Sequence, residues 1–156
     1  MTDPIIEAAN RVTGEAFNVL RRTVDGLPAE ALNWRPAGDE TNSIAVLTTH
    51  AMHATRVLLQ MATGLPQPPR DRSAEFAATA DGPASLLQLI EDLATDCTAT
   101  LDAAGPVDWN EMRRRTRDDG EVVEMSAAYA LIHAVDHLRG HTDEASLTRH
   151  MWMARP

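Results

Sequence analysis

Four stretches of this chain repeat apolar residues every three or four positions, and that spacing limits the fold more than any other feature. Residues 4–25 carry Ile5, Ala8, Ala9, Val12, Ala16, Val19 and Leu20. Residues 44–63 carry Ile44, Leu47, Ala51, Ala54, Leu58 and Met61. Residues 84–104 carry Leu86, Leu87, Ile90, Leu93, Ala94, Cys97 and Leu101. The fourth stretch, 126–151, sets histidines on the same rhythm. This is the period of a helix with one apolar face. Start and stop residues bracket each stretch: Asp3-Pro4 and Gly26, Asn42-Ser43 and Gly64, Gly82-Pro83 and Gly105-Pro106. Amphipathic helices bury their faces against one another, so the expected fold is an all-α four-helix bundle.

Composition supports this reading. Aromatics make up only 4% of the chain, so Ala, Leu, Val, Ile and seven Met must build the core. That palette suits helix-on-helix packing better than a sheet sandwich. The length of 156 residues fits one domain, 1–156. The connections are long. "LPAEALNWRPAGDETN" reads as loop, and the Pro-rich run 64–76 reads as a crossover with one short helical turn near 73–79. Between Trp109 and Met125 the dipeptide Asp119-Gly120 signals a small hairpin before the last helix.

The net charge of −9 argues against nucleic acid as a partner, because backbone phosphates are bound by clustered cations. The one basic run, Arg113-Arg114-Arg115, is offset by Asp118 and Asp119 and reads as a solvated loop or strand. No apolar run is long enough to span a bilayer, so no membrane role is expected. The opening "MTDPIIEAAN" is acidic and lacks the apolar core of a leader. The single cysteine, Cys97, excludes a disulfide within the chain, and its neighbours supply no base or cation to activate it. It reads as a packed thiol in a cytoplasmic protein.

The chemistry lies in "LIHAVDHLRGH", which places His133, His137 and His141 four residues apart. Four residues of helix drift about 40° and rise about 6 Å, so neighbours in this ladder can aim at one point. Eight residues drift about 80° and rise about 12 Å, too far for two nitrogens bound to one ion. The ladder therefore offers one pair, 133/137 or 137/141. A catalytic metal usually takes three protein ligands and keeps a position open. The third would come from "TTHAMHATR", which contributes His50 and His53. Asp136 and Asp143 are candidate carboxylates to orient an imidazole. Asp136 is also the nearest candidate general base. His150 reads as a surface residue.

Two segments resemble the DinB/YfiT-like superfamily of metal-dependent enzymes. "ALNWRPAGDETNSIAVLTTH" at 31–50 is similar to that family's Leu-x-Trp-x-Pro segment running into Asn-Ser-Ile, with a histidine seven residues after the serine; here that histidine is His50. "HAVDHLRGHTDEASLTR" at 133–149 is similar to the family's His-x-x-x-His followed by Arg-Gly-Gln, with Thr142-Asp143-Glu144 in place of the last three residues. This alignment makes His50, His137 and His141 the metal ligands, because "ASLTR" then keeps its family spacing. The other frame pairs His133 with His137. The resemblance implies a DinB/YfiT-like up-down-down-up bundle holding a divalent metal, zinc or nickel, and it implies a homodimer. Some relatives are transferases or isomerases that use a low-molecular-weight thiol such as mycothiol, bacillithiol or glutathione.

The expected function is a metal-dependent enzyme acting on a small molecule, either a thiol-dependent S-transferase or a hydrolase. The alternative is a metal-binding stress-related or interaction module without turnover.

Overall fold

The computed structural model describes residues 3–156. Its helices are α1 (Pro4–Val24), α2 (Ala29–Asn33), α3 (Ile44–Thr63), α4 (Arg72–Phe76), α5 (Pro83–Asp102) and α6 (Ala127–Met153). Strands β1 (Met112–Thr116) and β2 (Val122–Ser126) form one antiparallel hairpin ahead of α6. The four long helices are the bundle that the apolar spacing requires. In it α1 and α3 each pack against both α5 and α6. Among the described residues, no helix is long and apolar enough to cross a membrane.

Local chemistry sets the helix ends. Asp3 caps α1, its carboxylate accepting from the Ile5 amide at 2.8 Å; Thr2 lies outside the described residues. Ser43 caps α3, its hydroxyl accepting from the Val46 amide at 3.2 Å, and Gly64 closes that helix with φ +75°. Only glycine adopts such a cap without strain. A side chain there would also meet the Arg113 guanidinium at 3.1 Å. At the other end of the bundle, Arg149 donates to the carbonyls of Thr23 and Asp25 and so ties α6 to the end of α1.

The hairpin turns through Gly120 at φ +85°, as the Asp-Gly signal suggests. β2 then runs directly into α6. Ser126 caps the helix through the Tyr129 amide, while the amides of Ala127 and Ala128 donate to the carbonyls of Glu111 and Trp109. These bonds occupy amide donors that a helix start otherwise leaves free, and they fix the hairpin against the base of α6.

The long connections hold more structure than their composition suggests. "LPAEALNWRPAGDETN", read as loop, contains α2 and a 3-10 turn at Gly38–Glu40. Asn33 anchors it. Its amide nitrogen donates to the carbonyls of Ala29 and Ala80, and its oxygen accepts from the Ala80 amide. The core contains Leu20, Leu32, Met52, Leu59, Ile90 and Leu138. Cys97 is fully buried there, and burial first, then the charge of Asp96, pushes its thiol up to about 12. It is a packed, unreactive group.

Ser43 is 2% exposed and sits at the start of the helix that carries His50. Ser43→Ala is expected to lower stability by about 1 kcal/mol in urea unfolding, with Ser43→Asn closer to the parent. Equal midpoints for Ser43→Ala and the parent would show that the cap contributes nothing.

Candidate metal centre

α3 and α6 form the most extensive helix pairing of the bundle. This pairing sets His50, midway along α3, against the histidine ladder of α6. One ring nitrogen from each of His50, His137 and His141 falls within 4.8 Å of the others. The His50 ring meets His137 and His141 edge-on, with centroids 4.9 and 5.1 Å away. His50 Nε2 lies 3.2 Å from His137 Nε2. Two nitrogens bound to one tetrahedral zinc at 2.0–2.1 Å stand about 3.3 Å apart, so this spacing suits a shared ion.

Hydrogen bonding fixes which nitrogens are free. Glu75, buried on α4, faces His50 Nδ1 with Oε2 at 2.9 Å. Arg70 Nη2 also stands 3.1 Å from Nδ1, but Glu75 is nearer and only accepts, which favours the proton on Nδ1 and leaves the Nε2 lone pair toward His137. Arg70 holds Glu75 in turn, Nε donating to Oε1 at 2.6 Å and Nη2 to Oε2 at 2.7 Å. On α6, Glu144 accepts from His141 Nδ1 at 3.2 Å, which leaves His141 Nε2 free. His137 Nδ1 is buried and has no hydrogen-bond partner among the described residues. If His137 carries its proton there, two bare lone pairs oppose each other at Nε2. A cation between them removes that repulsion. The donor set therefore fits a divalent ion such as zinc.

The carboxylates differ from those the sequence suggested. Asp136 and Asp143 are exposed, and Asp136 lines a groove between α1 and α6 away from the histidines. Asp136 directly precedes His137 and Asp143 stands two after His141, and residues so spaced do not share a helix face. Glu144, three after His141, does share it. Glu75 and Arg70 come from the crossover after α3, which carries no periodic signal. Their one trace in the sequence is Asp71, whose side chain caps α4 through the Ala74 amide.

His133 stands outside the cluster and stacks on Tyr129 at 5.7 Å. His53 is half-buried on α3, and burial lowers its pKa. His150 is exposed. A cavity of about 270 Å³ opens beside the cluster, lined by His50, His133 and His137, by Leu58 and Met61 of α3, and by the hairpin. The hairpin covers the site from above, with Val123 and Met125 facing in.

Burial first, then the charges of His141 and His50, brings His137 down to about 3. It is neutral at pH 7 and able to bind a metal. Burial alone would raise Glu75, but hydrogen bonds from His50 and Arg70 outweigh it and hold the carboxyl at about 2. Both groups act in one direction. Below pH 6.5 the unfolded chain takes up a proton that folded His137 refuses, and below pH 4.5 the same holds for Glu75. Metal-free protein is therefore expected to lose thermal stability steadily from pH 7 to pH 4. His137→Gln should flatten the upper half of that decline, and identical slopes for variant and parent would contradict the burial argument.

The comparisons agree with this architecture. A conserved protein from Enterococcus faecalis shares the fold, with TM-score 0.74 and 14% identity over 99% of both chains. A histidine-to-alanine mutant of a mycothiol-dependent maleylpyruvate isomerase matches with TM-score 0.59 and 15% identity. That match covers 88% of this chain but 59% of the isomerase. No curated protein matches the sequence. The family model of the DinB superfamily matches residues 13–145, nearly the whole bundle, and the chain belongs to the DinB superfamily.

Proposed function

We propose that this protein is a metal-dependent enzyme in which His50, His137 and His141 hold a divalent ion, and that it uses a small thiol to transfer to or isomerise an electrophilic substrate. The observation that carries the reading is the convergence of three ring nitrogens, from two helices, beside a cavity that His50 and His137 line. Two of these histidines are oriented by carboxylates, an arrangement typical of metal ligands and unusual for packing residues. The isomerase of similar fold is mycothiol-dependent by name, which favours a thiol as co-substrate. Zinc or nickel suits an all-imidazole donor set.

A bound divalent ion would supply Lewis acidity, lowering the pKa of a thiol or water brought to it. The chain's own residues do the rest. Glu75 fixes the tautomer and angle of His50, and Arg70 keeps Glu75 charged in its buried position. Leu58, Met61, Val123 and Met125 give the cavity an apolar side that limits water. His133 faces the same cavity without joining the cluster, placed to exchange a proton with bound substrate.

Protein purified without an affinity tag is expected to carry one divalent ion per chain, and His137→Ala to lose it. Glu75→Gln should bind zinc about 10–100-fold more weakly in chelator competition. Full occupancy in His137→Ala would exclude the site. The loaded protein should then accelerate reaction of a small thiol with electrophiles. Ester or amide cleavage without a thiol would instead indicate a hydrolase, and no turnover of either kind would indicate a metal-binding module.

A further inference from the structure

The wall of the cavity facing the histidines is basic. β1 alternates exposed Met112, Arg114 and Thr116 with half-buried Arg113 and Arg115, so two arginines point beneath the hairpin. Arg113 pairs with Glu111 and lies against Gly64. Arg115, opposite Val123 in the hairpin, lines the cavity together with Arg70, Arg72 and Arg117. Three of these four have partners: Arg70 is engaged by Glu75, Arg117 by Glu121, and Arg72 lies over the Phe76 ring at 5.2 Å.

Arg115 differs. It is half-buried, yet its guanidinium has no hydrogen-bond or ion-pair partner among the described residues. Burial, then the like charge of Arg70, lowers its pKa, so its environment penalises the cation. The one acid lining the cavity, Asp118, is exposed and accepts from the Arg72 amide. A guanidinium that lines a cavity with no protein partner is open to a ligand there, and a planar carboxylate matches its fork. The more highly charged phosphate would also meet Asp118.

We infer that Arg115 is an anion-recognition residue, and that the molecule entering the cavity, substrate or thiol, carries a carboxylate held there while its reacting group reaches the histidines. The inference rests on the metal-enzyme reading and names the substrate class for it. The cavity, about 270 Å³ with an apolar side of Leu58, Val123 and Met125, suits a small organic acid.

The test uses cobalt-loaded protein, with thiol binding read from thiolate-to-cobalt absorption. The wild type is expected to bind 3-mercaptopropionate about tenfold more tightly than neutral 2-mercaptoethanol. Arg115→Gln should erase that preference, while affinity for 2-mercaptoethanol stays the same. Arg115→Lys should keep part of it, and Arg114→Gln, on the outer face, all of it. Equal affinities in the wild type, or a preference that survives in Arg115→Gln, would overturn the inference. A second arm uses metal-free protein. Propionate should raise the melting temperature of the wild type but not of Arg115→Gln, and equal shifts would count against Arg115. If neither thiol gives a cobalt band, the metal-thiol reading fails, and the propionate arm alone decides on Arg115.

Discussion

The packing of α3 against α6 is the constraint on which the site depends. It is the one contact that sets a histidine of one helix against a ladder of histidines on another. Ala51 of α3 and Ala130 and Ala134 of α6 are fully buried in the bundle core. A shift of one residue along α3 would turn His50 by about 100° and break the cluster. The capping of α3 by Ser43 and Gly64, and the docking of the hairpin on the base of α6, hold that register.

Around this seam the chain builds a polar relay in a largely apolar setting. Arg70 engages Glu75, Glu75 fixes His50, and His50 faces His137. Each step satisfies a buried polar group that would otherwise be costly. His137 breaks the pattern, since its Nδ1 lacks a partner among the described residues. The 3.2 Å approach of the His50 and His137 Nε2 atoms is a spacing that a shared cation would suit.

Much of this was legible in the sequence, and the limits have physical causes. The long helices were readable because burial imposes a period, and α3 runs from Ile44 to Thr63 as its caps indicate. The hairpin was readable from Asp119-Gly120 because few residues accept its turn geometry. Spacing alone narrowed the ladder to two pairs; favouring His141 over His133 took a resemblance across the whole motif. Glu75 and Arg70 were invisible because the 64–82 crossover has no repeating pattern, and its role emerges only once it folds back on α3. Asp136 misled because adjacency in sequence is not adjacency on a helix face. Arg115 was hidden inside a run that looks uniformly solvated, and the alternation of a strand separates it from Arg114.

The central claim is that three imidazoles from two helices share one metal ion. X-ray absorption at the zinc edge of the loaded protein tests this most directly. The account requires a nitrogen and oxygen shell at about 2.0–2.1 Å, with outer scattering from three imidazole rings. A sulfur shell at about 2.3 Å, or scattering from one ring or none, would contradict it.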